Sequence, residues 1–404
     1  IQQIIYWFVS DYSELFVTRR IQESIDPDLD FAAKIIMESD LNDLRYLYQY
    51  GEYVSENEFK MAEFLNTLSE DEIAAMADTY TEGYRIGFVL GGNKAGAWLT
   101  AFAFGTSYFS AVIFVGYAGK FGWNFGIAST WIGLGNAFLG SLLAWGGLGR
   151  RTRLMTNHLG SRTMPEFFGS RYDSKALRLI SAMIVFVFLV PYTASLFNGL
   201  SRLFTMAFPQ VDYTLCVVIM SLLTCVYVLV GGYMATAIND FIQGIIMLIG
   251  IVAVIVAVLA GQGGFSEAII SLSQIPAESS ALEGAFVSMF GPDLFNLLGV
   301  IILTSLGTWG LPQMVSKFYA IKSGPAIKQG AIISTIFAFV VAGGSYFLGG
   351  FSRLFGDQIT YAADGTPIYD SIIPTMLSGL PDILLGIVVV LVLSASMSTL
   401  SSLV

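Results

Sequence analysis

From about residue 95 onward the chain consists of apolar runs too long for the core of a water-soluble domain. They fall at roughly 96–118, 122–147, 177–207, 213–231, 238–260, 285–308, 327–350 and 383–404. A run of 18 or more apolar residues with few charges is a membrane-span candidate, since about 20 residues of helix cross a bilayer's hydrocarbon layer. This part therefore predicts an all-α membrane body with about eight spans. Its function is to move something across a membrane or to sense at one.

Charge divides the chain at the same place. Residues 1–90 hold 18 Asp and Glu against 6 Lys and Arg, out of 30 and 20 in the whole chain, leaving 12 and 14 for residues 91–404. The net charge of −10 is thus −12 on the first part and +2 on the second, and it carries no argument for a nucleic-acid partner. Charged residues make up only 12%, about half the usual share in a soluble domain, and mean hydropathy is +0.68. Apolar residues at helical spacing in FAAKIIMESDLNDLRYLYQY and EFKMAEFLNTLSEDEIAAMADTY predict a soluble acidic helical segment over 1–90, with helix starts at Asp28 and Ser69. It contains no His, no Cys and no paired metal-ligand motif, so the reading is not an enzyme. Cys216 and Cys225 share one apolar run and are expected to be small buried side chains, not a disulfide.

Loop charges give an orientation. Arg150, Arg151, Arg153, Arg162, Arg171, Lys175 and Arg178 follow the second span, and Lys317, Lys322 and Lys328 follow the sixth. By the positive-inside rule both loops are cytoplasmic, whereas 261–284 and 352–382, which are acidic, are external. Residues 1–90 then lie in the cytoplasm. Met164–Phe168 with Arg171–Asp173 suggests a helix lying at the interface.

A transporter must replace an ion's water shell at mid-membrane, and unwound helices with hydroxyls can do so. Three stretches qualify. They are Phe104–Ala111 in the first span, Ser305–Gln313 in the sixth, with Gly307, Gly310 and Pro312, and Ser394–Ser402 in the eighth, with six hydroxyls in nine residues. Each alone also reads as helix packing through small residues. Hard neutral oxygens in this pattern suit Na⁺ better than a divalent ion. Asn239 and Asp240 with Gln243 read either as a helix N-cap or as an acidic group beside an ion path.

Several motifs resemble one family. Tyr227–Thr236 with Asn239–Gln243, Trp309–Gln313 before Lys317 and Phe318, Ala395–Ser401, and Leu148–Arg150 leading to Thr163–Phe168 are similar to motifs of the sodium:solute symporters, over residues 88–404. That family includes proline, pantothenate, sialic acid and sugar transporters. The resemblance implies a leucine-transporter-type fold of two inverted five-helix repeats, with the first and sixth spans as the broken core helices 1 and 6. It implies a sodium-coupled symporter of a small organic solute, multi-pass in the cell membrane, with Na⁺ as coupling ion and alternating access as the mechanism. Carried over by position, sodium ligands fall on the carbonyls of Thr106, Phe109 and Ala395 and the hydroxyls of Ser398 and Thr399. Asp240 falls beside the inner sodium path, and Ser107, Tyr108, Trp309 and Gln313 fall on substrate contacts. Tyr108 stands where proline transporters carry an Asp.

The same resemblance sets expectations for the ends. Residues 1–90 replace the family's extra N-terminal helix and faintly resemble a non-catalytic part of bacterial aminopeptidase-like proteins, which reads as a non-native or fused segment. Val404 falls within core helix 8, so core helices 9 and 10 are expected to be absent and the product incomplete, down to a non-functional fragment. The alternative is the membrane input domain of a sensor histidine kinase.

Overall fold

The computed structural model describes residues 95–403, apart from 111, 208–209, 211 and 278–282. The helix starts expected at Asp28 and Ser69 lie outside the described residues. Among the described residues the fold is all-helical, and extended pairing is limited to two isolated bridges.

Helix α1 (Ala97–Tyr108) ends where Phe109 turns extended, at φ −78° and ψ 118°. The chain resumes as the π-helical Val112–Tyr117, which runs into Ala118–Phe125; together these form α2. A tight turn follows at Gly126, in the left-handed half of backbone space at φ 61°. Glycine is needed there twice over, because a Cβ would lie 2.2 Å from the Phe286 carbonyl oxygen. α3 starts at Thr130, passes through π-helical turns at Asn136–Leu142 and Trp145–Gly149, and ends at Leu159. α4 (Met164–Arg171) is the short helix expected at the interface. Thr163 caps it, with its hydroxyl accepting from Glu166 N–H, and the Glu166 carboxylate reaches back to Arg162 N–H at 3.0 Å. α5 spans Lys175–Ala207 and α6 spans Tyr213–Gly261.

α7 (Leu294–Gly307) and α8 (Pro312–Val315, continued by Lys317–Ala320) form the second broken span, bent by 59° at Leu311. Pro312 explains the bend, since it offers no N–H and forces the preceding residue out of the helical region. α9 (Gly324–Gly349), a short helix α10 (Tyr369–Leu377) and α11 (Asp382–Leu403) complete the chain.

Directions follow from close contacts. Along α9, Gly330 meets Trp145, Ser334 meets Ser141, Gly343 meets Gly133, and Tyr346 accepts from Ser129, so α9 runs against α3. It runs with α1 and α2, because Phe337 faces Gly105 and Gly349 faces Ala118 and Gly122. Ser305 meets Asn136 and Thr308 meets Gly140, so α7 runs with α3. Asp240 lies by Ser398 and Gly250 by Leu391, so the second half of α6 runs against α11. The first and sixth core spans therefore run oppositely, as do the second and seventh, and both members of the first pair are broken midway. That is the inverted-repeat signature of the leucine-transporter type.

The turns sort into two ends. At one, Arg153 donates to the Ile321 and Lys322 carbonyls and Lys322 N–H donates to Ala95. At the other, the Arg353 guanidinium lies 4.1 Å from the Trp123 ring centre and 4.7 Å from that of Phe286. The charge pattern had grouped the loops in the same way.

Three expectations are corrected. The fourth and fifth spans are one helix of 49 residues, α6. No proline interrupts it, and the Gly231–Gly232 pair weakens a helix by about 1 kcal/mol per residue without removing a backbone donor. Within α6 the segment Ala235–Gly261 is by itself long and apolar enough to cross a bilayer. The hydroxyl-rich stretch at 394–402 does not unwind; α11 is continuous. Cys225, expected to be buried, is exposed and unpaired.

Candidate functional site

The break after Tyr108 decides the chemistry at mid-bundle. With Phe109 extended, the carbonyls of Thr106 and Phe109 point away from the regular helical ladder. α11 crosses them with a small-residue face, on which Ala395, Ser396, Ser398 and Thr399 are all fully buried. The Thr399 hydroxyl oxygen stands 3.3 Å from the Thr106 carbonyl, 3.4 Å from that of Phe109 and 3.0 Å from that of Ala395. One hydroxyl proton cannot serve three acceptors. Four oxygens converge where a cation can take the place of a hydrogen. Oxygen ligands sit about 2.4 Å from a cation the size of Ca²⁺, which is also the size of Na⁺, so neighbouring ligands of an octahedral shell are about 3.4 Å apart. The observed separations match that spacing.

Ser398, one residue earlier, lies beside the Asp240 carboxylate. Asp240 lies in the middle of α6, not at a helix start, which removes the N-cap reading. It is fully buried, and its partner is the Lys317 ammonium at 3.9 Å, itself only 4% exposed. Lys317 was expected among the loop charges. It is instead carried into the bundle by α8, because Pro312 restarts the helix immediately after the break.

Beside the cation position lies a crevice lined by Phe104, Tyr108, Asn136, Ser141, Thr308 and Phe337 among others, narrow enough to hold about one water. Its polar walls are tied together. The Tyr108 hydroxyl meets Asn136, Ser305 donates to Asn136 Oδ1 at 3.1 Å, and the Ser141 and Ser334 hydroxyls are 2.8 Å apart. Of the four expected substrate contacts, only Tyr108 lines this crevice. Ser107, one residue and 100° round the helix, donates back to Ala103. Trp309 turns to α3 and donates its indole N–H to Leu139 at 2.9 Å. Gln313 is buried outside that crevice, and its amide has no hydrogen-bond partner among the described residues. Sequence reasoning missed Asn136, Ser141, Thr308 and Ser334. Asn136 was detectable as an amide at the middle of an otherwise apolar second span. The hydroxyls were not, because small residues pack helices equally well.

Two broken helices in inverted repeats, with oxygens converging at one break and a polar crevice beside it, define a multi-pass helical membrane protein built around a central break. Comparison with known proteins narrows this class. The sequence profile of the sodium:solute symporter family matches residues 88–404, and the chain belongs to that family. It is 31% identical over 241 residues to a sodium/proline symporter of Staphylococcus aureus, covering 58% of this chain and 45% of that one. The same-named protein of strain JH9 matches equally, with 44% of its length covered. The chain thus spans about half the length of the curated relatives it matches. Its fold matches that of a Na⁺-coupled sialic acid symporter in a substrate-bound outward-open state, with a TM-score of 0.62 at 17% identity, over 79% of this chain and 65% of that one.

Proposed function

We propose that this protein is a sodium-coupled symporter that draws a small organic solute into the cell by alternating access. The observation that carries the reading is the Thr399 hydroxyl converging with three carbonyls at the break in helix 1. In this reading the carbonyls of Thr106, Phe109 and Ala395 and the Thr399 hydroxyl bind Na⁺ as cargo, and Ser398, beside Asp240, adds a fifth oxygen when the ion enters. The ion then bridges helix 1 to helix 8, and its presence favours the conformation that accepts solute. Such coupling between sites is worth about 1–3 kcal/mol.

The solute site is the crevice beside Tyr108, with Ser107, Trp309 and Gln313 as supports on the two broken helices. None of the residues that line it is charged, which favours a solute with no net charge over an anion. Proline is a first candidate through the curated relatives, and Tyr108, in place of an Asp, argues for a different or a broader solute. Full-length protein in proteoliposomes is expected to accumulate at least one member of a panel of labelled zwitterionic and neutral solutes, proline included, when sodium is high outside. Uptake unchanged when the sodium gradient is replaced by potassium would reject the coupling.

Orientation belongs to the same proposal. The end carrying Arg150–Arg178 and Lys322 faces the cytoplasm of a cell-membrane protein, with residues 1–90 on that side. Ser174→Cys and Ser266→Cys, each in a chain without Cys216 and Cys225, are expected to differ in labelling by an impermeant maleimide on intact cells. Only the Ser266 position should react, and labelling at position 174 would invert the topology.

A further inference from the structure

Asp240 and Lys317 form a charge pair that the proposed cation cage does not use. Asp240 is the only charged residue between 235 and 261, and Lys317 the only one between 294 and 321. Burying either one alone costs several kcal/mol, so each is retained against a large penalty. Their placement relative to the cage is close. Gly244, one helical turn beyond Asp240, packs α6 directly against Phe102 and Thr106; a Cβ there would lie 3.1 Å from the Thr106 methyl group. Ser398, which faces Asp240, immediately precedes Thr399. The carboxylate therefore lies about one turn from the cage, toward the end that carries Arg153, which is the cytoplasmic end in the orientation proposed above.

The pair itself is loose. Nζ to Oδ2 is 3.9 Å, beyond hydrogen-bond range, and the ammonium also stands 5.4 Å from the centre of the Tyr233 ring. A compact point charge on a flexible four-carbon stem, with a cation-binding ring beside it, can leave the carboxylate without leaving the bundle.

We propose that Lys317 is a tethered counter-cation: its ammonium occupies the Asp240 carboxylate and keeps that group from holding a second sodium ion. This rests on the reading of the Thr399 cage as a sodium site. A sodium ion leaving the cage toward the cytoplasm meets Asp240, and Lys317 swings toward Tyr233 to admit it and returns after release. Lys317 thus acts as a positioning residue that fixes the count of bound sodium at one and clears the exit.

The test is equilibrium ²²Na⁺ binding to purified full-length protein, with choline as the balancing cation. The wild type is expected to bind one sodium and Lys317→Gln two. The double variant Asp240→Asn/Lys317→Gln should return to one. Thr399→Ala/Lys317→Gln should keep one ion, held at Asp240. If Lys317 only filled space, its neutral replacement would leave the stoichiometry at one; Lys317→Arg, which keeps the charge, should also stay at one. One sodium in Lys317→Gln overturns the inference, and so does a wild-type stoichiometry of two, which requires no variant. If Lys317→Gln fails to fold, loss of the remaining sodium in the neutral double variant also overturns it. A wild type that binds no sodium defeats the cage itself, a different and recognisable result.

Discussion

Thr399→Ala is expected to weaken sodium binding by about 10–100-fold while leaving the folded protein in place. The hydroxyl is one of four oxygens in the cage, and a hydrogen bond or ligand contact to a charged species contributes about 1.5–3 kcal/mol, which converts to that range of affinity. Folding should be spared for a local reason. Position 399 is interior to α11, where alanine is the better helix former by several tenths of a kcal/mol. The hydroxyl and methyl group removed leave a small void that partly offsets this gain. Thr399→Ser keeps the oxygen and should stay within a few-fold of wild type. Sodium titrations of ²²Na⁺ binding, and of solute uptake at fixed solute, provide the measurement. Superimposable sodium curves for wild type and Thr399→Ala would remove the cage from the mechanism, whatever happens to the rate.

Much of this site could be read from residue order, and its failures have physical causes. Phe104–Ala111 marks the break in the first span because a small, hydroxyl-rich stretch at mid-span is costly in lipid unless it binds something. Pro312 marks the break in helix 6 by its missing donor. The hydroxyls at 398 and 399 could be assigned to the cation only through the family resemblance, since their spacing is equally that of a packing face. The structure then separates them, bringing Thr399 to the carbonyls and Ser398 to Asp240. Lys317 was misread because a lysine near the end of an apolar run usually belongs to the loop. Only the bend at Leu311, which changes the direction of the following turn and a half of helix, takes it inside. Trp309 was misplaced for the same reason, since a bend of unknown direction leaves the facing of every side chain near it undetermined. The union of the fourth and fifth spans into α6 was hidden by Gly231 and Gly232, which punctuate loops in water. In an apolar medium the backbone holds its hydrogen bonds across them.

The glycines that matter most lie at the end that carries Arg353, where α2 and α9 touch backbone to backbone, and Gly349→Leu is expected to be the most destabilising of the changes considered. A Cβ at Gly349 would lie 2.1 Å from the Ala118 carbonyl oxygen, and one at Gly122 would lie 2.0 Å from that of Gly349. Neither obstacle is a side chain that can rotate aside. The helices must separate, which opens the layer that Ile372 and Tyr346 fill, both fully buried. Overpacking of this kind costs about 3 kcal/mol, corresponding to roughly 6–12 °C in thermal midpoint for a body of this size. Gly386→Leu is the matched control, because a Cβ there meets nothing within 4 Å. Detergent-solubilised protein followed by thermal unfolding and size exclusion should show the loss at position 349 alone. Equal midpoints for the two variants would mean that α2 and α9 do not meet through their glycines. The contact also couples α2 to α9 on the Arg353 side of the proposed cation cage. A stabilised Gly349→Ala protein, if it folds with the helices held apart, should bind sodium more weakly than wild type although position 349 touches none of the ligands.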